Sequence, residues 1–332
     1  MGLDLVTGGA GFIGSHLVDG LIGAGRRVRV IDNFAVGGVR NLVQHEGNPA
    51  VDVVQADISD PSSLVDCFKG AERVFHLAAM ADIVPSIEDP EVYFRTNVDG
   101  TFNVVQAAVA HNVKRLVYVA SSSCYGIPAV YPTPETAPLQ PQYPYALTKS
   151  LGEQIVLHWS NVYRLSAVSL RFFNVYGPRV RTSGTYGAVF GVFLAQLLAG
   201  KPLTIVGDGE QTRDFTYVSD VVDALIVAAD SQHSGRIYNV GTGEAQSVNR
   251  LVELLGAEDI VHIPERPGEP DCTLADIGRI TKEMGWQPAV PFSKGVDIML
   301  ENIDYWRDAP VWTATSIADA TVGWFKYLGA EK

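Results

Sequence analysis

Near its start the chain reads Leu3-Asp4-Leu5-Val6-Thr7-Gly8-Gly9-Ala10-Gly11-Phe12-Ile13-Gly14. A β-rich run meets an amphipathic stretch, residues 12–24, across a turn made almost wholly of glycine. Few chain geometries need that combination. Glycines at 8, 11 and 14 suit a tight turn, close backbone approach to a pyrophosphate and close packing of a helix on a strand. The helix that follows aims its first amides at phosphate. A second apolar run, 28–31, ends at Asp32, 18 residues past Gly14. A carboxylate there accepts hydrogen bonds from a ribose diol and repels a 2′-phosphate, so the pattern predicts NAD over NADP. Asp57 and Ile58 follow a third β-rich run, 51–54. Asp57 reads either as a neighbour of the adenine ring or as the cap of a helix beginning at Pro61.

The alternation continues. Runs at 73–77, 115–119 and 167–171 read as strands, and helical patterns span 61–69, about 91–111 and about 145–163. Strands alternating with helices predict an α/β fold with a doubly wound parallel sheet. Right-handed crossovers then put the ligand crevice along the strand C-termini. After Arg171 the loops grow richer in glycine and proline, which predicts a smaller C-terminal α+β lobe. A helix over 218–229 and a strand over 237–240 are expected to return to the main sheet. The expected division is 1–171 plus about 212–240 for NAD, and 172–211 with 241–332 for substrate.

Composition narrows the partners. A formal charge of -12 over 332 residues argues against nucleic acid, which needs a basic surface. No apolar run approaches the ~20 residues of a membrane span. Cys67, Cys124 and Cys272 are isolated thiols without metal-ligand spacing, so no metal is expected. Their odd number and the strand beginning at Leu3 predict a cytoplasmic protein.

Tyr145 and Lys149 stand at i and i+4, on one face of the helix predicted there. A free phenol has a pKa near 10, so it serves as a base at neutral pH only if nearby cations favour the phenolate. Lowering it by ~3 units takes roughly 4 kcal/mol, within reach of Lys149 and an oxidised nicotinamide together. Upstream, Ser121-Ser122-Ser123-Cys124-Tyr125-Gly126 follows an apolar strand. One of its hydroxyls can bridge a substrate oxygen and Tyr145.

These motifs, with His76-Leu77-Ala78-Ala79, Arg171-Phe172-Phe173-Asn174, Arg213-Asp214-Phe215 and Arg266-Pro267-Gly268-Glu269, extend over nearly the whole chain. The sequence resembles the extended short-chain dehydrogenase/reductase superfamily, in its nucleotide-sugar epimerase and dehydratase branch. The resemblance implies a Rossmann-type domain with bound NAD and a UDP-sugar substrate. It implies Ser121 as catalytic hydroxyl, Tyr145 as base and Lys149 as its partner and a ribose ligand. For the cofactor it implies Gly8, Gly11, Phe12, Ile13, Gly14, Asp32, Asn33, Asp57, Ile58, Leu77, Ala78, Ala79 and Phe172. Ser122, Ser123 and Asn174 would face the sugar nucleotide, Arg213 and Arg266 its pyrophosphate, and Glu269 its ribose. Thr273 falls at a gate that restricts 2-acetamido sugars when bulky. Helices at 91–111 and 145–163 imply a homodimer.

Dehydratases of this branch carry an Asp-Glu pair where this chain has Ser122 and Ser123, and its decarboxylases carry a Glu in this region. Cys124 is one place away from the thiol of related 3,5-epimerases and reads as a buried strand-end cysteine. What remains is reversible oxidation of a secondary alcohol, hence a nucleotide-sugar 4-epimerase. Neutral, acetamido and uronic sugars stay open, with Arg179 and Arg181 as candidate carboxylate ligands. The alternatives are a 4,6-dehydratase, a UDP-glucuronate decarboxylase, a reductase exchanging free NAD, and a regulatory NAD-binding protein without turnover.

Overall fold

The computed structural model describes residues 2–180 and 188–329. Its main sheet has seven strands: β1 (Leu3–Thr7), β2 (Arg27–Asp32), β3 (Val51–Gln55), β4 (Ala71–His76), β5 (Arg115–Ser121), β6 (Ala167–Phe172) and β7 (Arg236–Val240). Across the sheet the order is β7-β6-β5-β4-β1-β2-β3, and every neighbouring pair is parallel. This is the doubly wound Rossmann arrangement. Strand order reverses at β1, and ligands of such sheets bind beyond the strand ends there.

Four helices cover the sheet: α1 (Phe12–Gly23), α2 (Gly100–Ala110), α3 (Pro144–Val162) and α4 (Val218–Asp230). On one face Leu17, Val18 and Leu21 of α1 pack with Val221, Ala224 and Leu225 of α4. On the other, Val104, Val105 and Ala108 of α2 join Val156 of α3 over Val74, Leu116 and Tyr118. Strands enclosed on both sides read as continuous apolar runs, which is why β5 and β6 are legible without alternation. Glu153 of α3 forms a buried ion pair with Arg171 of β6 and accepts from Ser169 at 2.7 Å. That pair fixes α3, and with it Tyr145 and Lys149, against the sheet.

Beyond β6 a separate apolar core gathers aromatic rings. Tyr176 stacks on Phe190 at 4.5 Å and Phe215 on Phe292 at 5.1 Å between centroids. Among the described residues no helix is long and apolar enough to cross a membrane.

Two expected helices differ. Over 61–69 only a 3-10 turn forms, Pro61–Leu64. Asp60 accepts from the Ser62 amide at 2.9 Å, and Ser63 donates to the carbonyls of Asp57 and Asp60. Such local side-chain bonds compete with helix propagation. The helix expected over 91–111 is divided into Pro90–Phe94, a π-helical turn Arg95–Asp99, and α2. The turn carries Asn97, whose side chain accepts from the Met80 amide at 2.8 Å and donates to the Met80 carbonyl at 2.9 Å. A π-turn re-aims one side chain without ending a helix, and such turns gather at functional sites.

Candidate active site

Gly8 sits at φ +71°, where an added Cβ would lie 2.7 Å from the Ala78 amide nitrogen. At Gly14 it would lie 2.2 Å from the Gly8 carbonyl oxygen. Side chains are thus excluded where β1, the loop after β4 and the start of α1 converge. No side chain caps α1, so its first amides face outward from Gly11. A crevice of about 840 Å³ runs above this floor, with Gly8, Gly11, Gly14, Phe12 and Ile13 in its lining. Asn33, Ile58, Leu77, Ala78 and Ala79 line it as well.

At one end the Asp32 carboxylate accepts from the Ala10 and Phe34 amides at 2.9 and 2.8 Å. Burial raises this carboxyl, and the two backbone bonds oppose the rise. Asn33 donates to Asp57 at 3.0 Å; the cap before Pro61 is Asp60, and Asp57 accepts from Ser59 and is not part of the crevice lining. A bare glycine floor, open amides and a terminal acid fit a dinucleotide. Phe172 does not line the crevice. Its side chain belongs to the apolar core at the end of β6. Beneath the floor His76 is buried between the Thr7 and Thr101 hydroxyls, at 2.8 and 2.9 Å. Burial, helped by the Lys149 charge, holds it neutral with a pKa of about 3.

The serines form the tip of β5. Ser121 ends the strand, and Ser122 opens a 3-10 turn running to Tyr125. The Ser121 hydroxyl lies 2.8 Å from that of Ser123 and accepts from the Ser123 amide at 3.2 Å. Ser121 is also hydrogen-bonded to Tyr145, and Ser123 to Tyr143. The rings of Tyr143 and Tyr145 lie parallel, 6.5 Å apart. Cys124 is fully buried, with its thiol pushed up to about 12 by burial, an inert packing group.

The protein's own groups do not lower the Tyr145 phenol: burial pushes it up to about 12, and only the bond from Ser121 opposes the rise. The Lys149 ammonium lies 4.5 Å over the Tyr118 ring, and burial weakens it in turn, to about 8. Burial penalises each charge separately, so proximity along one helix face does not suffice.

At the far end Glu269 accepts from Arg213 at 3.0 Å and stands 3.7 Å from Arg266. All three line the crevice, as does Asn174. Thr273 donates to the Asn174 side-chain oxygen at 2.8 Å and accepts from the Asp214 amide at 3.2 Å. Thr273 is therefore spent on orienting Asn174 and is not part of the crevice lining. Arg179 lines the crevice and is paired with Asp19 of α1 at 2.8 Å. Arg181 lies outside the described residues.

Residues 5–241 match the family described as NAD dependent epimerase/dehydratase. The chain belongs to that family. A UDP-glucose 4-epimerase of Mycolicibacterium smegmatis is 38% identical over 312 residues, covering 92% of this chain and 98% of the relative. A UDP-N-acetyl-alpha-D-glucosaminuronate decarboxylase of Bacillus cytotoxicus is 32% identical over 321 residues, covering 92% and 97%. Among solved structures, the UDP-glucuronic acid 4-epimerase of Bacillus cereus, in complex with UDP-glucuronic acid and NAD, superposes with a TM-score of 0.85. It is 30% identical and covers 91% of this chain and 99% of that one. This epimerase/dehydratase family member is thus a nucleotide-sugar enzyme, and NAD is its cofactor.

Three residues of the family member's site escaped the sequence reading. Asp82 lines the crevice, and its charge reaches Tyr145. Tyr143 stands two residues before Tyr145, and nothing in the local sequence marks it as the partner of Ser123. Trp324, from a C-terminal helix (Val322–Leu328), donates to the Pro267 carbonyl at 2.8 Å and packs against Arg266 and Tyr143. A buried tryptophan so far along the chain leaves no local signal of the loop it supports.

Proposed function

We propose that the protein is a UDP-sugar 4-epimerase, acting by transient oxidation at C4 with NAD retained. The observation that carries this reading is the tip of β5, where Ser121, Ser123, Tyr143 and Tyr145 join through hydroxyls alone. Taking a proton from a secondary alcohol needs one base and a relay, whereas eliminating water needs an acid and a base of its own. The 38% identity to a UDP-glucose 4-epimerase supports the same choice.

Gly8, Gly11, Gly14, Asp32, Asn33 and Lys149 hold NAD in this reading. Bound NAD supplies a reversible acceptor for the C4 hydride. Tyr145 takes the C4 hydroxyl proton while Ser121 holds the same oxygen. The phenol at about 12 yields a phenolate only when a further cation stands beside it, so proton removal waits for the oxidised cofactor. The 4-keto sugar then turns to present its other face, and Tyr145 returns the proton. Arg213, Arg266, Asn174 and Glu269 anchor the nucleotide and pyrophosphate, remote from C4, which leaves the sugar free to turn.

Residues 1–171 with about 212–240 serve as the NAD domain, and 172–211 with 241–332 as the sugar-nucleotide domain. Exposed apolar side chains on the helices at 90–110 and 144–162 (Phe94, Phe102, Leu147 and Val162) suit a homodimer face. The lack of a membrane-crossing helix among the described residues and the three free thiols are compatible with a cytoplasmic enzyme. The decarboxylase relative keeps a second reading in play, C4 oxidation followed by loss of CO₂.

Incubation with UDP-glucose, UDP-N-acetylglucosamine and UDP-glucuronate, read by NMR at C4, separates the readings. Inversion at C4 is expected. A 4-keto-6-deoxy sugar, released CO₂, or no turnover with any of the three would overturn the proposal.

A further inference from the structure

The segment after β2 lies directly on the glycine-rich turn. An added Cβ at Gly37 would stand 2.5 Å from the Ala10 carbonyl oxygen. That oxygen accepts from the Gly38 amide at 3.1 Å and from the side chain of buried Asn41 at 2.9 Å. Residues 35–38, with Arg40 and Asn41, thereby form a wall of the crevice above the glycine floor. The two ends of the 3-10 stretch Val39–His45 are fastened differently. At the far end Gln44 and His45 bond Asp19 of α1, at 2.8 and 2.7 Å. At the near end the hold comes from the C-terminal aromatic core, through Tyr305 in the turn Ile303–Trp306. The Tyr305 hydroxyl donates to the Asn41 side-chain oxygen at 2.9 Å, and the Arg40 guanidinium lies 4.4 Å over the Tyr305 ring. One chain of bonds, Tyr305 to Asn41 to Ala10, thus joins the end of the sequence to the cofactor floor near its start.

We propose that Tyr305 and Asn41 form a clasp that keeps this wall closed over the dinucleotide and sets the rate at which NAD leaves. The inference rests on the reading that NAD lies over the glycine floor, and on no assignment of the sugar or the reaction. Both are positioning residues, acting on NAD through the wall. Asn41 spends its acceptor on Tyr305 and its donor on Ala10, so both halves of the amide are committed. A wall tied only to α1 would be free to swing at its near end, and the Tyr305 bond closes that end. Release of a ligand beneath such a segment waits for the segment to open. Removing the hydroxyl costs the bond and leaves a buried amide oxygen short of a partner, which favours the open wall.

The test reads NAD release, not turnover. NAD-loaded protein is mixed with excess alcohol dehydrogenase and ethanol, and the rise in NADH absorbance reports each NAD set free. Tyr305→Phe, which keeps the ring beneath Arg40, should speed release about fivefold, and Asn41→Ala about tenfold or more. The double variant should release no faster than Asn41→Ala, because both substitutions cut the same bond. The dissociation constant of UDP, measured by calorimetry, should be unchanged in Tyr305→Phe. Unchanged release in Tyr305→Phe, or rates that multiply in the double variant, overturns the clasp. A loss of UDP affinity that matches the change in NAD release also overturns it, because the hydroxyl would then only support the C-terminal core. If Asn41→Ala does not fold, Tyr305→Phe decides alone. Intact protein that sheds its NAD on mixing overturns the clasp and NAD retention together. Slow release unaltered by Tyr305→Phe overturns the clasp and leaves the proposed function standing.

Discussion

Ser121, Tyr145 and Lys149 come from the end of one strand and the first turns of one helix, whereas Arg213, Arg266 and Glu269 come from a two-residue strand and a loop. In the first group Lys149 is buried and Ser121 and Tyr145 are half-buried, and all three are held by a parallel sheet and the Glu153–Arg171 pair. The second is held by mutual ion pairs and by Trp324 from the end of the chain. The contrast teaches a division of labour. In the proposed function, the groups that meet the reacting atom sit on a long strand and helix, and those that grip the charged handle sit on a short strand and a loop.

Mutations should respect that division. Tyr145→Phe carries the largest expected effect, a fall in kcat of about 10²- to 10⁴-fold with KM little changed and thermal stability retained. A comparable rise in KM would break the comparison, because the phenol would then be a binding group. Arg266→Ala should do the opposite, raising KM for the UDP-sugar about 10- to 100-fold through loss of charged hydrogen bonds worth ~1.5–3 kcal/mol, with kcat within a few-fold. Steady-state kinetics of the two variants side by side checks both.

The sheet beneath makes a prediction of its own. His76 has a folded pKa of about 3, below its unfolded value near 6.5. Between those values the unfolded chain binds a proton that the folded one refuses. Stability is therefore lost as pH falls through that window, by at most about 1.4 kcal/mol per pH unit from this group. Denaturant melts between pH 7 and pH 4 should show the loss, and a hydrophobic or amide replacement of His76 should flatten the slope. The smallest expected effect is at Trp324→Phe, which keeps the ring and loses the bond to Pro267, about 1 kcal/mol. It should raise KM a few-fold and leave NAD binding unchanged. An effect on NAD affinity would show that the two regions are coupled.

Much of the cofactor floor was readable because its rules are local. Gly8 and Gly14 announce themselves by residue type, since the chain can pass there only without a Cβ, and Asp32 by its place at a strand end. Tyr145 and Lys149 were readable as a spacing, but their charge states were not. Burial weakens both groups, and burial is a property of the assembled fold. Phe172 packs into the apolar core at the end of β6, and the crevice lining is reached only two residues on, at Asn174. The helix expected over 61–69 was lost to serine and aspartate side chains that bond their own backbone. Asp82 and Trp324 reach the site through tertiary packing, with no spacing in the chain to betray them.

In the proposed function C4 loses and regains the same hydride without any group being eliminated. Incubating the NAD-loaded enzyme with UDP-glucose in deuterium oxide, with NMR of the sugar carbons, tests it most directly. UDP-galactose is expected at equilibrium with UDP-glucose, with no deuterium on carbon. Deuterium at C5 or C6, or a 4-keto-6-deoxy product, would contradict it.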